Sequence, residues 1–167
     1  MSLINMQEKI NKISGLVCLL FALFGLVQCN TANKLPPGDA DNGGLFLPAG
    51  FEAVVVADST GPARHIAVSD NGDIYVKMRS SEIGAGNLVL RDTNGDGKAD
   101  SSVHFGNYFN EGDLSNCMRI HDGWLYFASE LVVYRMKLTP GKMVPEGKMD
   151  TVFTEEDSRG SHWHITK

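Results

Sequence analysis

The feature that most constrains the fold of this chain is a pair of similar segments. Residues 64–76 and residues 117–127 each read as an apolar strand, a tight glycine turn and a second strand with a central tyrosine. The two tyrosines, Tyr75 and Tyr126, lie 51 positions apart. Repetition at this period is typical of arrays of small structural units, β-propellers among them. The chain is therefore predicted to contain two copies of one such unit.

Both turns carry residues that are suited to a tight hairpin. Asn71 and Gly72 occupy the first turn, and Asp122 and Gly123 occupy the second. Pairs of this kind supply the positive φ angles that a two-residue hairpin turn requires. We expect a tight antiparallel hairpin at both places.

A third and a fourth strand follow each hairpin. They are residues 87–91 and 102–105 in the first copy, and residues 131–138 and 150–154 in the second. Eighteen glycines and many short β-branched or aromatic runs also favour an all-β chain. Four antiparallel strands at this spacing predict the blades of a β-propeller, and a β-sandwich with two coincidentally similar halves is the alternative.

A single blade cannot bury both of its faces, so a propeller is stable as a closed ring, commonly of about four to eight blades. The sequence contains two blades, at about 51–106 and 114–155, and residues 161–167 read as the opening strand of a third. We therefore expect this chain to be the N-terminal part of a propeller.

The N-terminus has the form of a leader for export. Lys9 and Lys12 precede an apolar stretch at residues 16–27, which is short for a permanent membrane span. It predicts a signal peptide at residues 1–28. The sequence LVQC that ends at Cys29 resembles a bacterial lipobox, and this resemblance implies a lipidated cysteine and a membrane-anchored protein on the periplasmic or cell-surface side.

Alternatives to lipidation stay open, because Gln28 stands where such boxes usually carry Gly, Ala or Ser. Ordinary signal cleavage nearby and a retained N-terminal helix are the other possibilities. Residues 29–45 are polar with two prolines and are expected to form a flexible tether. Cys117 would be the free thiol of the mature chain, and we expect it to be buried.

Charge argues against a nucleic-acid partner. The formal net charge is −5, and no stretch concentrates Lys and Arg. Neutralising a row of phosphates requires such a concentration. Binding to nucleic acid is therefore not expected.

The most specific chemical motif is the loop at residues 92–100 (DTNGDGKAD) between two predicted strands. Ca²⁺ takes about six to eight oxygen ligands, and oxygen-bearing side chains recur here at alternate positions. The predicted ligands are Asp92, Asn94, Asp96, the backbone carbonyl of Lys98, and Asp100. Val103 stands at the twelfth position, where an EF-hand has a glutamate, so a structural calcium loop between strands is predicted. An empty turn held by Asp and Asn side chains is the alternative.

From about residue 47 to residue 167 the sequence resembles the pyrroloquinoline-quinone-dependent sugar dehydrogenases of the glucose/sorbosone type, which are six-bladed propellers. The segments that carry the resemblance are residues 47–53 (LPAGFEA), 118–127 (MRIHDGWLYF) and 161–167 (SHWHITK). The resemblance implies an oxidoreductase that oxidises a sugar or alcohol hydroxyl and passes hydride to the quinone.

The same resemblance implies a catalytic base. In that family a histidine at the start of a blade, followed by a hydroxyl residue and a basic residue, takes the proton of the substrate hydroxyl. His164, followed by Thr166 and Lys167, fits this pattern, and His162 is its alternate. The groups that hold the quinone are expected beyond Lys167. Packing of both histidines into a blade edge is the alternative.

Two functions therefore stay open at the level of sequence. The first is the quinone-dependent dehydrogenase, and the second is a non-catalytic, calcium-stabilised propeller lipoprotein that binds carbohydrate or protein. In either case, the 167 residues are not expected to catalyse a reaction alone, because one base without a pocket neither orients a substrate nor binds a cofactor.

Overall fold

The structure is a computed structural model, and it describes residues 35–79, 85–108 and 117–154. Eight strands in these ranges form two four-stranded antiparallel sheets, each with its strands in chain order. Blade 1 contains β1 (Ala63–Val68), β2 (Ile74–Met78), β3 (Asn87–Arg91) and β4 (Ser101–Phe105). Blade 2 contains β5 (Met118–His121), β6 (Trp124–Ala128), β7 (Val132–Lys137) and β8 (Glu146–Thr154). The predicted all-β fold is confirmed, and so are its two four-stranded units.

Helical structure is limited in the same ranges to one 3₁₀ turn, Asn42–Gly44. None of the described residues form a helix that is long and apolar enough to cross a bilayer. The described residues from Pro36 onward belong to one compact unit.

The faces of blade 1 follow from the pairing of its strands, because cross-strand partners lie on one face. Its inner face, which meets blade 2, carries the row Ala67, Tyr75, Val89 and Val103. Its outer face carries the rows Ile66, Val76, Leu88, His104 and Val68, Ile74, Leu90, Ser102. Ala57 and Ala99 pack against the buried part of this outer face. Blade 1 thus carries apolar rows on both faces, and its inner face also carries the more polar row His65, Lys77, Asn87, Phe105.

Blade 2 has two unlike faces. Its inner face carries the buried side chains Met118, Leu125, Phe127, Tyr134 and Met136. Its outer face carries the rows Arg119, Tyr126, Arg135, Asp150 and His121, Trp124, Lys137, Glu146. The apolar face therefore packs against blade 1, and the face with charged and aromatic residues points away from it.

The main core is an aromatic cluster between the two inner faces. The Phe127 ring stands edge-on to Phe105, with centroids 6.4 Å apart, and stacks with Tyr108 at 5.7 Å. Tyr75 meets Phe105 edge to face at 6.1 Å. Pairs in these geometries add about 0.5–1.5 kcal/mol each beyond burial. One shared cluster therefore joins the blades.

The two hairpin turns differ from each other. Asp122 and Gly123 have φ values of 47° and 72°, as predicted for a two-residue turn. The first connection instead runs from Ser69 to Asp73, where the N–H of Ser69 donates to the carbonyl of Asp73 at 3.0 Å. Gly72 has the predicted positive φ, at 90°, so the antiparallel hairpin is confirmed, with a longer turn in which the side chains of Ser69, Asn71 and Asp73 hydrogen-bond to one another.

The residues just ahead of residue 46, predicted to end a tether, are held in place. The N–H of Asp39 donates to the carbonyl of Ala53 at 2.8 Å, and the N–H of Ala53 donates to Asn42 Oδ1 at 3.1 Å. The N–H of Gly38 donates to Glu52 Oε2 at 2.9 Å. From residue 38 on, this segment is therefore docked onto the chain that enters blade 1.

Candidate functional site

Several predicted site residues lie outside the described ranges. They are the signal peptide at residues 1–28, the lipidation site Cys29 and the candidate bases His162 and His164. The strand predicted at residues 161–167 lies outside them as well. All of these stay predictions.

The predicted calcium loop is described completely and joins β3 to β4. Asp92 closes it, because Oδ1 accepts from the N–H of Gly95 at 2.7 Å and of Asn94 at 3.1 Å, and Oδ2 accepts from the N–H of Gly97 at 2.7 Å. These hydrogen bonds, above all the one from Gly97, hold the pKa of Asp92 below its ordinary value. The carboxylate thus stays ionised, as a cation ligand must.

The other predicted ligands accept hydrogen bonds within the loop. Asn94 Oδ1 accepts from the N–H of Asp96 at 2.9 Å, and Asp96 Oδ1 accepts from the N–H of Lys98 at 2.8 Å. Asp100 Oδ2 accepts from the hydroxyl of Thr93 at 2.7 Å. In the described part of the chain, no three His, Cys, Asp or Glu side chains are grouped to hold a metal ion. The oxygen donors are of the kind that Ca²⁺ prefers, but they are arranged as in a hydrogen-bonded turn. The calcium site therefore stays a prediction.

An ion pair fastens this loop to the segment ahead of blade 1. Lys98 Nζ lies 2.7 Å from Asp39 Oδ1, while Asp39 Oδ2 accepts from the N–H of Val55 at 2.7 Å. The hydrogen bond from Lys98 is the largest cause that lowers the pKa of Asp39, and the hydrogen bond from Val55 is the second. The hydrogen bond to Asp39 in turn raises the pKa of Lys98. The side chain of Lys98 is therefore an anchor for the loop, a role that its position in the motif does not reveal.

A cleft of about 340 Å³ lies at the hairpin end of the two blades, and the side chains of Asp73 and Tyr75 in its lining are hydrogen-bonded. The carboxylate of Asp73, which is 1% exposed, accepts from Arg91 Nε at 2.6 Å and from Nη2 at 2.7 Å. The hydroxyl of Tyr75 donates to the carbonyl of Met143 at 3.1 Å. Burial, and to a smaller extent the negative charge of Asp73, raises the pKa of Tyr75 to about 12. The hydrogen bond from Tyr75 thus joins β2 to the connection between β7 and β8, whereas the pairing of Asp73 with Arg91 lies within blade 1.

A buried polar cluster lies at the opposite end of blade 1, and the sequence analysis missed it. Lys77 Nζ donates to the carbonyl of Met78 at 2.8 Å and lies 5.0 Å from the centre of the Tyr108 ring. The Tyr108 hydroxyl donates to Asn87 Oδ1 at 2.9 Å, whereas the buried Asn87 Nδ2 has no hydrogen-bond partner among the described residues. A lysine inside the apolar run of β2 was the available clue.

A second cleft, of about 360 Å³, lies on the outer face of blade 1. Leu88 and Leu90 line it together with Asp58, Asp100 and His104. The cleft combines an apolar floor with two carboxylates. No other strand of the described ranges covers this face.

Two further histidines and the cysteine lie apart from the clusters described above. His121 Nε2 lies 3.4 Å from Asp122 Oδ2 at an exposed turn, and His65 lies on β1. Cys117 is a free thiol, as predicted, but it is half-buried where full burial was expected. None of these three side chains belongs to a metal-holding group of described residues.

Comparison with known proteins supports the fold. No protein-family model matches the sequence, and no curated protein matches it either. Among solved structures, the chain is similar to the holo form of the PQQ domain of pyranose dehydrogenase from Coprinopsis cinerea, with a TM-score of 0.53 and 17% identity. The match covers 67% of this chain but 26% of that chain. The described residues therefore form two blades of a partial β-propeller.

Proposed function

We propose that the propeller to which these blades belong is a quinone-dependent oxidoreductase, which oxidises a hydroxyl group of a sugar or related alcohol. The observation that carries the proposal is the structural similarity to the holo form of a PQQ domain. The three sequence segments that resemble the glucose/sorbosone type support the same class of reaction.

A site for the quinone's carboxylates needs converging cationic side chains, and two of the described cations are engaged elsewhere. Arg91 is paired with Asp73, and Lys98 is paired with Asp39. Quinone binding is therefore assigned to no described residue, and the bound quinone would supply the hydride acceptor.

His164 is the proposed base of the reaction, and His162 is its alternate. A neutral imidazole accepts the proton of the substrate hydroxyl while the neighbouring carbon loses a hydride. Loss of such a base typically costs about 10²–10⁴-fold in rate. The role belongs to the residue that contacts the substrate hydroxyl.

The test uses the protein isolated from its own membrane fraction and reconstituted with pyrroloquinoline quinone. We expect quinone binding, sugar-dependent dye reduction, and a loss of at least about 100-fold in kcat for His164→Ala. His104→Ala, on the outer face of blade 1, is the matched control and should retain activity. A folded protein that takes up no quinone would contradict the proposal and would favour the non-catalytic, calcium-stabilised lipoprotein that binds carbohydrate or protein.

We further propose that the loop at residues 92–100 binds Ca²⁺ and stiffens blade 1. The Asp96→Asn substitution keeps an acceptor for the N–H of Lys98 but removes a negative ligand. We expect Ca²⁺ at about 100 times its Kd to stabilise the native protein by about 2.7 kcal/mol and this gain to be smaller in the variant. Thermal unfolding in Ca²⁺ and in chelator measures this gain in stability, and Asp70→Asn is the control variant. An unchanged Tm of the native protein would exclude the site.

A further inference from the structure

An apolar loop, residues 43–52, projects from the segment ahead of blade 1. Its base is closed by the hydrogen bond from the N–H of Ala53 to Asn42 Oδ1 at 3.1 Å. Within the loop, the N–H of Phe51 donates to the carbonyl of Pro48 at 3.2 Å and closes a turn. The shape of the apolar loop is therefore set by hydrogen bonds of the chain itself, and little backbone entropy remains to be lost on binding.

The apolar loop exposes several large hydrophobic side chains. Phe46 is fully exposed, and Phe51 and Leu45 are 68% and 58% exposed. Residues 43–51 (GGLFLPAGF) include no charged side chain. Single exposed apolar residues are common on protein surfaces, but several grouped together mark a contact with a partner or a membrane. The apolar loop therefore has the character of a contact site.

The residues on either side of the apolar loop lie at the hairpin end of blade 1. A Cβ at Gly97, between β3 and β4, would lie 2.7 Å from Pro36 Cγ and 3.4 Å from Val54 Cγ1. Because strand order follows chain order, the connections β1–β2 and β3–β4 share this end of the sheet. The connections β5–β6 and β7–β8 line the cleft at the same end, so β8 runs away from it.

The predicted lipid anchor indicates what the apolar loop contacts. Cys29 precedes Pro36 by seven residues, and seven extended residues reach about 25 Å. A lipidated Cys29 would therefore keep a bilayer within this reach of the hairpin end. Apolar side chains of peripheral proteins enter about 5–10 Å into the boundary between headgroups and acyl chains. Carboxylates of Asp41 and Glu52 flank the loop, so zwitterionic headgroups suit it better than anionic ones.

We propose that the apolar loop inserts into the surface of a zwitterionic bilayer and turns the hairpin end of the blades toward the membrane. The lipid on Cys29 would hold the protein near the bilayer, and the loop would fix its orientation. The end of the blades at which β8 finishes then faces the aqueous side. The proposal is independent of the proposed activity, because the apolar loop contains none of the proposed catalytic residues.

The test places a fluorescent reporter in the loop of the full chain. The chain is isolated from its membrane fraction and reconstituted in vesicles of phosphatidylcholine and phosphatidylethanolamine, with or without brominated acyl chains. Phe46→Trp reports on the loop, and Phe153→Trp, at an exposed phenylalanine of β8, is the matched control. Both variants keep the two native tryptophans, so the difference from the native protein isolates the new ring.

We expect the added emission of Phe46→Trp to lie at shorter wavelength, to be lost in brominated lipid and to resist quenching by iodide. The added emission of Phe153→Trp should be quenched by iodide and be unaffected by bromine. A Phe46→Trp signal that iodide quenches and brominated lipid does not would overturn the proposal. A signal protected from both quenchers would overturn it as well, because a protein surface would then cover the loop.

A second measurement follows the transfer of the protein between vesicles. Phe46→Asp with Phe51→Asp removes two rings from the bilayer and should accelerate transfer by at least about tenfold. Val152→Asp with Phe153→Asp, at exposed residues of β8, is the control and should leave the rate unchanged. Circular dichroism verifies that each variant folds. Equal transfer rates for the loop variant and the native protein would contradict insertion of the loop.

Discussion

Asp73 shows how a charged residue is accommodated between the blades. Burial alone would raise its pKa, but hydrogen bonds from Arg91 and Asn71 outweigh burial and hold the pKa below its ordinary value. A buried charge is tolerated when its partner and hydrogen bonds are complete. The counterpart position in blade 2 is Trp124, over whose ring the Arg135 guanidinium lies at 4.3 Å. The two blades therefore fill equivalent positions with different cation-binding chemistry.

Tyr75 is expected to make stability depend on alkaline pH. Its pKa is about 12 in the folded protein and 10.0 as the ordinary value. As pH rises above 10.0, the unfolded chain loses the proton first, so the free energy of unfolding should fall until about pH 12. Tyr75→Phe should remove this part of the fall and cost about 1 kcal/mol at neutral pH for the lost hydrogen bond. Urea unfolding across this range measures both effects, with Tyr126→Phe as control, and equal slopes in variant and native protein would contradict the expectation.

At the scale of elements, the bounds of most strands could be predicted from the local pattern. β7 and β4 lie within one residue of the predicted bounds, since alternating apolar residues mark a pleated strand. β8 begins at Glu146, four residues before its predicted start, because it continues through a register shift and Gly147, whose φ is 89°. Irregular pairing of this kind depends on the neighbouring strand, which the local sequence does not specify.

Two glycines of the loop between β3 and β4 offer a matched pair of substitutions. Gly95 and Gly97 have φ values of 82° and 87°. A Cβ at Gly97 would lie 2.7 Å from Pro36 Cγ, whereas one at Gly95 would meet no atom within 4 Å. We expect Gly95→Ala to cost about 1–2 kcal/mol for the left-handed backbone and Gly97→Ala to cost more. Urea denaturation compares them, and equal costs would show that the segment at Pro36 does not pack on the loop.

At the scale of the whole molecule, stability rests on the cluster that both blades share. Phe127 is fully buried within it and contacts Phe105 from blade 1 and Tyr134 from blade 2. Removing a buried ring loses the free energy gained by burying it and also leaves a cavity, which adds a further cost.

We expect Phe127→Ala to cost about 3–5 kcal/mol and to accelerate amide hydrogen exchange in both blades together. Hydrogen exchange with mass spectrometry follows the two sheets separately, and Val152→Ala, at a half-exposed position of β8, is the control. Faster exchange confined to blade 2 would mean that the blades unfold independently.

The repeat, the two blades and the position of the loop at residues 92–100 could be predicted from sequence, because each depends on local pattern. The cluster of Lys77, Asn87 and Tyr108 could not, since it brings together residues from β2, β3 and the connection after β4. The same holds for the pairing of Asp39 with Lys98. Contacts between distant segments require the register of the sheet and the path of each connection.

That ion pair has a mechanical consequence. A pull on the chain ahead of Pro36 would first load the hydrogen bond from Gly38 to Glu52. It would then load Asp39, whose N–H binds Ala53 and whose carboxylate binds Lys98 and Val55. These attachments would have to rupture before the pull could reach β1 and peel it from the sheet. Tension on the N-terminal side would therefore break these bonds before it unfolds a blade, and the bonds can re-form when the tension ends.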